Sequence, residues 1–225
     1  MTQWIPWWIG AYLLGSVPFG LLIGLARGVD IRTRGSGNIG ATNVLRTLGK
    51  PAGVLAFTLD FLKGFAPTLA AGLATRSIAR ADLPPEQAWA WLAVPALAII
   101  GHMFPLFLRF RGGKGVATGF GALLAVFPWL TLPAAVSLPV WFAALRLSRF
   151  VSVASCAAAA SLPLSVIAVG FVGAQLGRWP VRSVWPFLIV AVVLAALVLW
   201  KHRGNLARVR AGTEPRLGAP PQPGG

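Results

Sequence analysis

Seven apolar runs, separated by short basic and glycine-rich stretches, constrain this sequence more than any other feature. They cover roughly 3–26, 51–75, 88–108, 116–131, 132–145, 150–172 and 184–200. About 20 apolar residues in a helix cross the hydrocarbon core of a bilayer. Backbone polar groups at that depth are satisfied only within helices or closed barrels. The expectation is an all-α, polytopic membrane protein with about seven transmembrane helices. The fourth and fifth runs are short and are interrupted by Pro128, Pro133 and Pro139. They allow two short spans, a re-entrant hairpin or one long tilted helix. The first run has no basic region ahead of it and is long enough to span, so it does not read as a cleaved signal peptide.

The basic residues arbitrate between these arrangements. With the N-terminus outside, segments 27–50, 109–114, 146–149 and 201–216 face the cytoplasm and carry 15 of the 20 Lys and Arg residues. Arg76, Arg80, Arg178 and Arg182 fall outside, and Lys63 lies within a span. A single span over 116–145 would move Arg146, Arg149 and the whole C-terminal cluster outside, against the positive-inside rule. Seven crossings, an external N-terminus and a cytoplasmic C-terminus follow. Residues 1–211 then form one membrane-embedded domain, and the Pro/Gly-rich tail 212–225 reads as disordered.

A net charge of +15 in a chain that is 56% hydrophobic narrows the partners. The cations lie between apolar runs rather than on one soluble face, which disfavours nucleic acid. Phosphate-bearing lipids or metabolites fit better. One cysteine, Cys156, excludes an intrachain disulfide, and two histidines are too few for most zinc sites. No cofactor or metal is expected.

Three polar segments carry chemistry. The first, Gly35-Ser36-Gly37-Asn38-Ile39-Gly40-Ala41-Thr42-Asn43 with Arg46 following, contains a G-x-G-x-x-G spacing. It lacks the preceding strand of a dinucleotide fold, so that fingerprint does not apply. Its glycines still let backbone N–H groups approach an anion, and a helix starting near Ile39 or Gly40 would point its positive end there. Ser36, Asn38, Thr42 and Asn43 add short donors, and Arg46 adds a fork suited to phosphate. The alternative is a plain turn and helix cap. The second segment runs from Gly101-His102 to Arg111-Gly112-Gly113-Lys114-Gly115. It is not a Walker A loop, yet glycines around one lysine make a phosphate nest; Arg109 and Arg111 can simply meet lipid headgroups. The third is Lys201-His202-Arg203-Gly204-Asn205. His202 and Asn205, three apart, share a helix face, although basic residues after a span are also ordinary topological flanks. Asp60 and Lys63, also three apart, permit a buried ion pair inside the second span.

Together these segments resemble the bacterial acyl-phosphate:glycerol-3-phosphate acyltransferases. GSGNIGATNVLR, GHMFPLFLRFRGGKGVAT and KHRGNLARVRAGTE are similar to that family's three motifs, and DFLKG and RFVS also fit. The similarity runs from about residue 10 to Glu214. Departures are mild: Phe150 stands where tyrosine is more usual, and Leu206 and Val209 replace commoner Ile and Leu.

The resemblance implies transfer of a fatty acyl group from acyl phosphate to the sn-1 hydroxyl of glycerol 3-phosphate, at a cytoplasm-facing site in the bacterial inner membrane. It implies that Ser36, Arg46, Lys114, His202 and Asn205 form the catalytic set and hold glycerol 3-phosphate. It places Thr42, the Gly112-Gly113 backbone and Ser152 on acyl phosphate, and counts Gly37, Asn38, Gly40 and Asn43 among the substrate-binding residues. Asp60, Lys63, His102 and Glu214 are left with structural roles. An enzyme that makes acyl phosphate is an implied partner.

Neither histidine begins a His-x4-Asp pair, and no Ser-His-Asp set is legible among five acids. Acyl phosphate is already activated, so direct attack by the substrate hydroxyl is expected, with the leaving phosphate or His202 taking the proton. Two other classes compete. A transporter of a phosphorylated metabolite would carry polar motifs in both halves of the membrane. A metal-dependent headgroup phosphotransferase would need paired carboxylates.

Overall fold

The computed structural model describes residues 1–80, 82–178, 180 and 183–218. Arg182 and the tail beyond 218 therefore lie outside the described residues. Nine α-helices are present among those described: α1 (Ile5–Ser16), α2 (Phe19–Leu25), α3 (Ala41–Leu48), α4 (Lys50–Ala74), α5 (Pro85–Met103), α6 (Val116–Leu124), α7 (Thr131–Ser148), α8 (Val151–Gln175) and α9 (Trp185–Arg210). Six segments are long and apolar enough to cross a membrane: Thr2–Leu25, Lys50–Ala74, Pro85–Leu108, Thr131–Ser148, Val151–Gln175 and Trp185–Arg210. The chain is an all-α, polytopic membrane protein.

Two apolar runs fold differently from the expectation. The first is broken between α1 and α2 at Val17-Pro18, because proline cannot donate and crowds the preceding turn. The fourth run is a helix only over Val116–Leu124, which at 1.5 Å per residue is about 13.5 Å long. Pro128 sits in the turn that follows, whereas Pro133 falls in the first turn of α7, where a missing N–H is tolerated. That turn is tied to the α4–α5 connection: Ala79 N donates to Phe127 O at 3.0 Å, and Trp129 Nε1 donates to Arg80 O at 2.9 Å.

Glycines set the closest helix approaches. Gly15 and Gly101 seat α1 against α5, facing the Ala98 and Tyr12 carbonyls. Gly64 faces the Thr118 carbonyl and Gly121 the Phe61 carbonyl, so α4 and α6 meet backbone to backbone. Small residues do this work in membranes because lipid gives no hydrophobic drive for helix association. Hydroxyls in the long helices are satisfied locally: Ser16, Thr68, Ser137, Ser155 and Ser165 each donate to the carbonyl four residues back. Trp91, wholly buried, donates to Thr68 O at 3.1 Å. Large apolar side chains such as Leu164, Phe171 and Leu147, the last 87% exposed, point outward.

The segment after α9 does not behave as its composition suggests. Residues 212–218, assigned above to a disordered tail, pack against the ends of α3, α8 and α9. Glu214 is only 7% exposed, Leu217 N donates to Arg149 O at 2.8 Å, and Pro215 O accepts from Arg46. Proline and glycine prevent regular structure here, but side-chain partners elsewhere supply the ordering contacts that composition cannot reveal.

Candidate active site

The loop between α2 and α3 is built around Asn43. Its Oδ1 accepts from Ser36 N at 2.9 Å, and its Nδ2 donates to Ile31 O at 2.9 Å and Arg34 O at 3.2 Å. The amide is thus committed to shaping the loop rather than to a ligand. Gly35 and Gly37 have φ of 56° and 66°, which tightens the turn ahead of α3. Asn38 Oδ1 accepts from Gly40 N at 2.9 Å, and α3 starts at Ala41 with its first N–H groups outside any intrahelical bond.

All three motifs meet at one cavity of about 710 Å³. Ser36, Asn38, Gly40, Thr42, Asn43 and Arg46 line it together with Lys114, Ser152, His202, Asn205 and Glu214. Lys114 Nζ donates to Asn205 Oδ1. Asn205 Nδ2 donates to Glu214 Oε1 at 2.6 Å, Ser152 Oγ donates to the same oxygen at 3.2 Å, and Arg208 Nε donates to Oε2 at 2.9 Å. Burial lowers the Lys114 pKa to about 8, with Glu214 opposing the shift and Arg208 and Arg46 reinforcing it. Burial likewise lowers that of Arg46, against the pull of Glu214. Three cations, Lys114, Arg46 and Arg208, therefore gather round the Glu214 carboxylate, an electrostatic setting made for anions.

The His202 ring is fixed by its own helix. Nδ1 lies 2.8 Å from Val198 O, an acceptor only, so the hydrogen bond assigns the proton to Nδ1 and leaves Nε2 with its lone pair. A neutral imidazole held in this tautomer can accept a proton at Nε2.

The family model for glycerol-3-phosphate acyltransferase matches residues 5–212. The chain belongs to that family. Glycerol-3-phosphate acyltransferase of Geotalea daltonii is 45% identical over 215 residues, covering 95% of this chain and 97% of that one. That of Aquifex aeolicus is 42% identical, covering 93% and 96%. Crystal structures of PlsY (YgiH), an integral membrane glycerol 3-phosphate acyltransferase, superpose with TM-scores of 0.78 in the glycerol 3-phosphate form and 0.76 in the lysophosphatidic acid form. Both are 40% identical and cover 96% of each chain.

Set against the resemblance to the acyltransferase motifs, most catalytic and substrate-binding candidates converge, and three of these do not line the cavity. Gly37 lies behind the first loop against the Arg32 carbonyl. Gly112 is pressed between His102 O and Pro105, and Gly113 against the His102 imidazole. The Gly113 N–H is donated to His102 O at 3.1 Å.

Below the loop, Lys63 Nζ lies 2.8 Å from Asp60 Oδ1, with side chains 1% and 2% exposed. This is the ion pair that the spacing of three permits. Asp60 Oδ1 also lies 3.6 Å from His102 Nδ1. Neither histidine has the sequential His-x4-Asp spacing; the fold instead brings His102 and Asp60 together from two different helices. The sequence reading also missed the cavity's apolar walls, including Phe57, Phe120, Trp141 and Leu162. In spans that are apolar all round, nothing in the sequence distinguishes these side chains from their lipid-facing neighbours.

Proposed function

We infer that this protein transfers a fatty acyl group from acyl phosphate to the sn-1 hydroxyl of glycerol 3-phosphate, giving lysophosphatidic acid and inorganic phosphate. The observation that carries it is one cavity with a cationic, hydrogen-bonding mouth and apolar walls supplied by α4, α6, α7 and α8. Two phosphates meet the cations, and the acyl chain takes the apolar part.

Lys114, Arg46, Ser36, His202 and Asn205 hold glycerol 3-phosphate; Thr42 and Ser152 hold the acyl phosphate. The sn-1 oxygen attacks the acyl carbon, the bond to the phosphate oxygen breaks, and the proton passes to His202 Nε2 or to the departing phosphate. Mixed-anhydride activation makes positioning and charge stabilisation the main tasks of the protein. Another enzyme must form the acyl phosphate.

The protein sits in the bacterial inner membrane with its N-terminus outside and this mouth facing the cytoplasm. The α6–α7 hairpin supplies two of seven crossings. In support, the turn after α6 reaches the external α4–α5 connection through Ala79 and Arg80. The Gly113 loop that precedes α6 packs on His102, whose ring faces Asp60 ten residues into α4, so a short helix covers the remaining depth.

The test is phosphate release by purified protein in detergent. Release should require both acyl phosphate and glycerol 3-phosphate, with acyl-CoA and acyl carrier protein inactive as donors. Turnover with acyl-CoA alone, or no release with both substrates, would overturn the reading.

A further inference from the structure

A carboxylate, an ammonium and an imidazole are buried together beneath the Gly112-Gly113-Lys114 loop, and the reaction as written uses none of them. Asp60 and Lys63 come from α4 and His102 from the last turn of α5. Placing such groups at membrane depth is costly even when paired, and it marks a functional role more often than a structural one.

The geometry shows what they touch. Lys63 Nζ lies between Asp60 Oδ1 and Val17 O, the carbonyl at the break between α1 and α2, which it meets at 2.8 Å. This holds the Asp60 carboxylate in place. That carboxylate faces Nδ1 of His102, and the opposite edge of the ring, Nε2, faces Gly113 so closely that no side chain fits there. The His102 carbonyl accepts the Gly113 N–H. The loop is therefore registered twice on one residue, through its backbone and through the Nε2 edge of the ring. The next residue is Lys114, whose ammonium donates to Asn205 Oδ1 at the cavity.

We propose that Asp60 and His102 are positioning residues for acyl transfer: Asp60 fixes the His102 ring, and the ring sets the height of the Gly113-Lys114 backbone, and hence of the Lys114 ammonium, in the phosphate site. The proposal rests on the acyltransferase reading above. It differs from a packing role because Asp60 acts through the imidazole, and the imidazole acts through Gly113.

Double-mutant cycles on kcat/KM for glycerol 3-phosphate test each link, with elution and thermal unfolding of every variant in detergent as a check on folding. Asp60→Asn and His102→Ala should each lower kcat/KM by about 10–100-fold, the scale of a 1 Å misplacement, chiefly through KM. Combining them should be no worse than His102→Ala alone. Gly113→Ala should be severe in the wild-type background and add less than about threefold in His102→Ala, where the ring it meets is gone. His102→Asn, which also vacates the Nε2 position, repeats the cycle if His102→Ala does not fold. Additive effects in either cycle with an active wild type would overturn the positioning role. An inactive wild type would instead overturn the acyltransferase reading.

Discussion

Asn205 donates from its amide nitrogen to the Glu214 carboxylate at 2.6 Å, although the end of α9 separates the two. Its oxygen accepts from Lys114, so the amide has one orientation and relays the carboxylate's position to the ammonium. Glu214→Ala leaves the Asn205 donor and the Ser152 hydroxyl without their acceptor, at a cost of about 1–3 kcal/mol. A lower thermal midpoint in detergent and reduced activity are expected. Glu214→Gln, which keeps an acceptor oxygen, should recover most of the stability, and equal losses in both variants would show that the hydrogen bonds are not what matters.

Lys114 carries the clearest pH signature. Burial favours its neutral amine, so in the free enzyme the ammonium that meets phosphate is lost as pH rises through about 8. Accordingly kcat/KM for glycerol 3-phosphate should fall above that pH, by up to tenfold per unit. A bound phosphate stabilises the ammonium, so the same limb in kcat should move to higher pH. Lys114→Ala should abolish the limb along with most activity; a limb that persists in that variant would assign it to another group.

Asn43 makes a separate prediction for the first loop. Asn43→Asp keeps the acceptor for Ser36 N but faces two carbonyls, Ile31 O and Arg34 O, with a carboxylate instead of a donor. Repulsion and a buried charge should loosen the loop, and use of both substrates should fall by about tenfold or more. Proteolysis between residues 30 and 40 under native conditions should accelerate. Unchanged kinetics would mean that the loop does not shape the site.

Direct transfer predicts no acyl-enzyme. Rapid quenching with labelled acyl phosphate, in the absence of glycerol 3-phosphate, should leave no label on the protein. A labelled Ser36 or Ser152 would establish a covalent route. His202→Gln keeps a polar side chain but loses the Nε2 lone pair. It should lower kcat more than it raises KM if His202 takes the proton, and leave kcat nearly intact if the leaving phosphate does.

Much of this was legible in the sequence because it is local. Run length specified helices and a membrane, and the spacing of Asp60 and Lys63 anticipated their ion pair. The pairing of His202 with Asn205 on one face of α9 was legible for the same reason. Proline marked trouble over 116–145 but could not say whether the chain would kink, turn or cross. That outcome depends on where the Phe127 and Trp129 groups find partners, and those partners belong to another connection.

What only the tertiary structure decided are the meetings between segments. A helix that is apolar all round does not announce which face turns inward, so the cavity's apolar walls had no signature. Asp60 and His102 are separated by 42 positions in sequence, and only the packing of α4 beside α5 brings them to 3.6 Å. Gly112 and Gly113 read as phosphate-binding backbone, yet the fold spends their freedom on packing against His102. Glu214, within a stretch whose composition argues for disorder, is held by three side-chain donors from α8 and α9. Composition and periodicity record what each segment does alone; close approach, shared hydrogen bonds and buried charge belong to pairs of segments, and those only the folded chain determines.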